Sequence, residues 1–263
     1  MPPCADSAQV TIASVKESDG KLRFALPDIY LSHMTEKITA SLVGIKNGSQ
    51  TELINIGSGG ISVAEYFDTL AAANPNDDEL LAFMANMLKA GEECQKYTGY
   101  RTGASELAMY NRTWAANNIK SEAPVSAVSK LSLFGEAYDG HAFIRSAGLN
   151  ITDKILVWFK VYAHSASGLK LVISGDGITP TETTISSLAG SDGLYYVDYA
   201  KLNPSAYNTA ITAQLKRGNE VLHTVRYSVN AYCVSKVADR NLRDLVYAIY
   251  NYGEAAYEYK KSR

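Results

Sequence analysis

Two periodicities follow one another along this chain, strand-like and then helical, and the succession occurs twice. In KITASLVGI (37–45), Ile38, Ala40 and Leu42 fall on one side, which is the period of a strand. Lys46-Asn47-Gly48-Ser49 reads as a hairpin turn because Asn-Gly accepts positive φ, and 51–56 is the returning strand. From Ser62 the spacing turns helical. Ser62 and Glu65 form a capping-box pattern, and Asn74-Pro75-Asn76 stops the helix after about Ala73. Asp77 or Asp78 caps a second helix reaching about Tyr97, with Leu80, Met84, Met87, Leu88, Gly91 and Cys94 at helical spacing. Near the end the order returns: strands at 211–215 and 221–227 around Arg217-Gly218-Asn219, then Ser228, then the stripe Leu242, Leu245, Val246, Ile249, Gly253 and Ala256.

Set over each other, DGKLRFALPDIYLSHMTEKITASL (19–42) and DGLYYVDYAKLNPSAYNTAITAQL (192–215) match without a gap at Asp19/Asp192, Gly20/Gly193, Ser32/Ser205, Ile38/Ile211, Thr39/Thr212, Ala40/Ala213 and Leu42/Leu215. Seven residues then drop out of the second stretch and SVAEY (62–66) meets SVNAY (228–232). Four more drop out before Leu80/Leu242, Gly91/Gly253, Glu92/Glu254 and Tyr97/Tyr259. Order and spacing recur, with insertions confined to connectors, so a tandem repeat is expected. Gly91 and Gly253 each sit on the buried stripe of the long helix. Glycine costs a helix roughly 1 kcal/mol relative to alanine, so a close approach of another backbone is expected there.

The expected organisation is a first copy at 1–97, a connector at 98–130 with a helical candidate at 106–116, and a second copy at 131–263. The connector is expected to pack against one of the copies. Only the second copy has the strand candidates 131–134, 142–144, 155–163, a hairpin of 169–174 with 181–186, and 195–199. The first copy has strand-like content only over 9–26 ahead of the shared part, broken at Ser18-Asp19-Gly20, and so lacks the opening strands. The fold class is α+β: tandem copies of an antiparallel β-sheet or sandwich, each followed by a C-terminal two-helix hairpin, with the first copy truncated.

With 263 residues, 46% apolar and 20% charged, the composition is that of a core-forming chain. A net charge of −2 supplies no field to recruit nucleic acid. No apolar run approaches the length of a membrane span, so no membrane insertion is expected. The opening MPPCADSAQV lacks the regions of a signal peptide, so the chain is expected to be cytoplasmic or part of a longer secreted protein. Cys4, Cys94 and Cys233 match no metal or redox spacing and are read as packing residues.

Catalytic signals are weak. GSGGIS before the capped helix lacks both the phosphate-loop lysine and the dinucleotide-binding spacing, so it reads as a flexible joint plus Ser62 as N-cap. His33, His141, His164 and His223 are scattered, with no metal or triad spacing, and Ser174-Gly175-Asp176-Gly177 offers too few oxygens for calcium. No catalytic residue, metal site or cofactor is expected. Eighteen tyrosines against six phenylalanines are the unusual feature. Tyr195, Tyr196, Tyr199 and Tyr207 lie around Asp192, with Tyr195 and Tyr199 on one strand face and Tyr196 on the other; Tyr247 and Tyr250 decorate the last helix. Flat aromatics stack on sugars or fill partner pockets, so these six are the binding candidates, packing against a neighbouring module being the alternative. Trp158, inside the apolar run ILVWFKVYA, is expected in the core. The structural candidates are Gly91, Gly253, Ser62 and Ser228.

DGLYY, ITAQL, VRYSVNAYC and LRDLVYAIYNYGEAAYEY, with SAGLNITDKILVWFKVY upstream, resemble a repeated module of large extracellular proteins of gut and rumen clostridia. The resemblance covers 131–263 well and 19–97 more weakly, where KAGEECQKY stands in place of NYGEAAYEY. It implies secretion or a cell-surface location, a multi-domain context, and the company of carbohydrate-active or cellulosome-type proteins; it carries over no catalytic residues. The expected function is a non-catalytic extracellular module, a spacer, adhesin or carbohydrate-associated binding domain, whose partner is polysaccharide or another surface protein. A polysaccharide-degrading hydrolase and a dedicated protein–protein scaffold are the alternatives.

Overall fold

A computed structural model describes residues 16–18, 21–23, 29–46, 49–126, 141–151, 155–176, 178–188, 190–199 and 202–263. The strand candidate at 131–134, the turn residues Asn47 and Gly48, Cys4, and most of 9–26 lie outside these residues. Within 9–26, β1 (Lys16–Ser18) and β2 (Lys21–Arg23) form a short antiparallel pair. A 3-10 turn at Leu31–His33 then leads into the hairpin of β3 (Ile38–Lys46) and β4 (Ser49–Ile61). The glycine-bearing stretch expected as a joint is instead carried in β4. The register jumps from Ile38↔Ile61 to Ala40↔Ile56, so β4 accommodates extra residues as a bulge, and Gly60 takes a φ of 61°.

Helix α1 (Val63–Ala73) starts as the capping pattern requires. Ser62 Oγ accepts the Glu65 N–H at 3.2 Å, and Glu65 Oε2 accepts the Ser62 N–H at 2.9 Å. Asp77 caps α2 (Asp78–Thr98) by accepting the Leu80 N–H at 3.1 Å, and Gly99 closes the helix in the left-handed region with a φ of 70°. The connector contains a 3-10 turn (Ala104–Glu106) and the single-turn α3 (Thr113–Ala116) rather than one continuous helix.

Among the described residues the next strands are β5 (Ala142–Asn150), β6 (Leu156–Ala163), β7 (Leu169–Gly175), β8 (Ile178–Thr184), β9 (Gly190–Ser191) and β10 (Leu194–Tyr199). Then come a 3-10 turn at Pro204–Ala206, β11 (Ile211–Arg217), β12 (Glu220–Tyr227), α4 (Val229–Lys236) and α5 (Arg243–Lys261). One sheet has the order β5-β6-β10-β9 and another β12-β11-β7-β8, every pair antiparallel. Their alternating inner positions share one core: Val157, Phe159 and Val161 from the first sheet, Leu171, Ile173 and Leu215 from the second. The chain is thus mixed α+β with antiparallel sheets, and among the described residues no helix is long and apolar enough to cross a membrane.

α2 and α5 pack along each other, with Phe83 stacked on Tyr259 at 5.2 Å between ring centroids. Ala90 and Cys94 of α2 join the core built around the two four-stranded sheets. The connector is held by both long helices rather than by one of them. Gln95 of α2 accepts the Ala108 N–H at 3.0 Å and donates to the Glu106 carbonyl at 3.0 Å. Asn86 of α2 accepts the Lys120 N–H at 3.1 Å, and Asn251 of α5 both accepts from and donates to the Glu122 backbone at 3.0 Å. Buried amide side chains of this kind give connector backbone its hydrogen-bond partners without needing a sheet.

Candidate functional site

The outer face of the β5-β6-β10-β9 sheet brings rings and charges together on adjacent strands. In β6, Val157, Phe159, Val161 and Ala163 are buried, so the pleat turns Trp158, Lys160 and Tyr162 outward. In β10, Val197 and Tyr199 point in while Tyr196 points out and is 54% exposed. Cross-strand register sets these outward residues in rows: Phe143, Tyr162 and Leu194; Ser146, Lys160 and Tyr196; Gly148, Trp158 and Asp198.

Trp158 owes its pose to Gly148. A Cβ at Gly148 would stand 2.4 Å from Cζ2 of the indole, so the ring lies over the neighbouring strand where only a glycine leaves room. The Tyr196 ring centroid is 6.1 Å from that of Trp158, with a 59° tilt between planes. The Lys160 ammonium rests 4.7 Å from the Tyr196 centroid, within cation–π range. One row away Phe143 and Tyr162 are 5.2 Å apart between centroids, and the Tyr162 hydroxyl lies 3.1 Å from His164 Nδ1. The outer face of the other sheet is different in kind. It carries Lys170, Val172, Thr212, Gln214 and Lys216 at the outward positions, with no ring.

The six tyrosine candidates separate sharply. Tyr196 is the one that stands on the surface. Tyr195 and Tyr247 are partly buried against the core, and Arg243 lies over the Tyr247 ring at 5.8 Å. Tyr199, Tyr207 and Tyr250 are 4%, 4% and 3% exposed, which corrects the expectation that they meet a ligand. Burial pushes all three hydroxyls above the ordinary tyrosine range, Tyr207 furthest. Their rings hold the sheets, the 3-10 turn and α5 together. Trp158 is the opposite correction: expected in the core, it lies on the outer face. The signal was available. Lys160, two residues on, fixes the phase of ILVWFKVYA, because a lysine seldom takes the inner position of a packed strand. Phe143 and Gly148 had no such marker, since what makes them relevant is the register between β5 and β6.

Ser62 and Ser228 both cap helices, and Gly91 and Gly253 both lie at close approaches. A Cβ at Gly91 would be 2.7 Å from the Leu31 carbonyl oxygen; at Gly253 it would be 2.8 Å from Tyr207 Cδ2, a ring rather than the backbone expected. Cys94 and Cys233 are buried and unpaired, and desolvation pushes each thiol up to about 12, which suits packing and not reaction. Among the described residues no cluster of His, Cys, Asp and Glu has the arrangement of a metal site. Comparison with family models, curated proteins and solved structures finds no match to the chain.

Proposed function

We propose that this chain is a non-catalytic extracellular module that binds polysaccharide through the outer face of the β5-β6-β10-β9 sheet. The observation that carries the reading is the set of rings, Trp158, Tyr196 and Tyr162, presented outward on adjacent strands with Lys160 between Trp158 and Tyr162 and Asp198 opposite Trp158. A pyranose offers an apolar C–H face and a rim of hydroxyls. Flat rings complement the first, and interleaved charged groups complement the second. The fixed seat of Trp158 over Gly148 supports the reading further, because a platform held in place before binding loses little rotamer freedom on binding. The secreted or cell-surface location, as part of a longer bacterial protein, rests on the resemblance to clostridial extracellular modules. The same proposal takes the fold as two related copies, the second a β-sandwich with a helical hairpin and the first without its opening strands.

Affinity gel electrophoresis against plant and mucin polysaccharides tests this. Retardation by at least one of them is expected, weakened in Trp158→Ala and Tyr196→Ala and unchanged in Tyr257→Ala, whose exposed ring belongs to α5 and not to the sheet. Migration unaffected by every polysaccharide in the panel would overturn the proposal and leave a spacer or scaffold.

A further inference from the structure

We infer that the polysaccharide read by this face is acidic, with a uronate carboxylate taken by Lys160. The inference rests on the proposed glycan-binding role and deepens it. Two outward lysines at comparable positions in the two four-stranded sheets differ in what stands beside them. Lys170 on β7 has its counter-ion built in, Glu182 on β8, with Nζ and Oε1 2.6 Å apart. Lys160 on β6 faces Tyr196 on β10 across the strands and makes no ion pair among the described residues. Directly opposite Lys160 stands the Tyr196 ring, where Thr184 stands opposite Lys170 and Glu182 reaches Lys170 from the next row, and the Lys160 ammonium is held on that ring at 4.7 Å.

The spacing suits one sugar. Residues two apart on a strand are separated by about 7 Å, so a pyranose stacked on Trp158 has its rim beside Lys160. A C6 carboxylate on that rim meets an ammonium that no carboxylate among the described residues pairs with, and the resulting hydrogen bonds are charge-assisted. Arg145, exposed at the register shift of β5 next to Ser146, adds a second positive charge on the same side. Asp198, opposite Trp158, places a negative charge in the adjacent row. It accepts from sugar hydroxyls and repels a second carboxylate there, so the acid is read at one position.

Isothermal titration of the whole chain with an oligogalacturonate, its fully methyl-esterified form and a neutral β-glucan oligosaccharide separates the possibilities. Wild type is expected to bind the free acid roughly tenfold more tightly than the ester, a difference of the size of one charge-assisted contact. High salt should shrink that advantage. Lys160→Gln should abolish it, with an unchanged melting temperature showing an intact fold, and Lys160→Arg should retain it. Equal affinity of wild type for acid and ester, or an acid preference that survives Lys160→Gln, overturns the inference while leaving glycan binding in place. Failure of all three sugars to bind overturns the inference, while the glycan-binding role it rests on stands or falls with the polysaccharide panel.

Discussion

Residues 29–98 and 202–261 use similar local devices, and two pairs of backbone hydrogen bonds fall at matching positions. His33 N–H donates to the Tyr30 carbonyl at 2.9 Å, and Ala206 to Asn203 at 2.8 Å. Ala64 N–H donates to the Met34 carbonyl at 2.9 Å, and Asn230 to Tyr207 at 3.1 Å. Met34 and Tyr207 lie beneath Gly91 and Gly253 respectively. A 3-10 turn, a hairpin, a serine-capped helix and a glycine-bearing long helix occur in this order in both regions. What differs is the backing of the hairpin. β11 pairs with β7 as well as β12, within a four-stranded sheet, whereas β3 and β4 form a sheet of two. The ring-bearing outer face lies wholly in strands that the first region lacks. The proposed site lies outside the elements that recur, in the strands of the β5-β6-β10-β9 sheet.

The comparison breaks most readily at the glycines. Gly253→Leu drives a branched side chain into the buried Tyr207 ring and is expected to destabilise the protein by about 3 kcal/mol or more, read as a lowered midpoint in urea. A melting temperature equal to that of wild type would reject the close-approach account. A finer cut uses alanine. Gly91→Ala and Gly253→Ala should each cost about 1–3 kcal/mol, but relief should be unequal. Adding Tyr207→Ala removes two of the three nearest atoms at Gly253, whereas adding Met34→Ala leaves the Leu31 carbonyl oxygen in place at Gly91. Double-mutant cycles should therefore give the larger coupling for the Gly253 pair; equal couplings would show that the two approaches are alike.

The connector gives the next largest effect. Asn251→Ala strands the Glu122 N–H and carbonyl and is expected to cost about 2 kcal/mol. Asn86→Ala should cost less, because its bond to the Asn118 carbonyl is 3.4 Å long. Chemical denaturation of the two variants checks the order.

The smallest effect lies at the caps. Ser62→Ala and Ser228→Ala should each cost about 1 kcal/mol, yet only the first cap contains a carboxylate, since Ala231 stands where Glu65 does. The hydrogen bond from Lys37 leads in lowering the Glu65 carboxyl from 4.5 to about 2, with the Ser62 N–H adding to it. A depressed folded value means that this contribution is full above pH 4.5 and is lost as pH falls toward 2. Because Glu65 is well exposed, the gain is small and screened by salt. Thermal midpoints at neutral and acid pH should differ less in Glu65→Gln than in wild type, and Ala231→Glu should add a second acid-sensitive step.

Local signals were the legible part. Asp77 as a cap, Asn74-Pro75 as a stop and Arg217-Gly218-Asn219 as a turn all act within a few residues, and the chain carries them in plain order. The site was legible only in part. Tyr196 could be assigned an outward position from alternation in LYYVDY, but whether that side faced solvent depended on the other sheet covering the opposite side. Trp158 lies in a nearly continuous apolar run that hides its pleat, and Lys160 is the one charged phase marker in ILVWFKVYA. Tyr207 and Tyr250 gave no sign of their burial, since a tyrosine serves core and surface equally well.

By itself the sequence determined the order of strands and helices and the caps and turns, because each is written in contacts between near neighbours along the chain. The tertiary structure alone decided which rings are buried, why Gly148 stands opposite Trp158, and that both long helices clasp the connector. Those facts depend on register between strands and on packing between segments far apart in sequence. Pairing at a distance has no local periodicity to announce it.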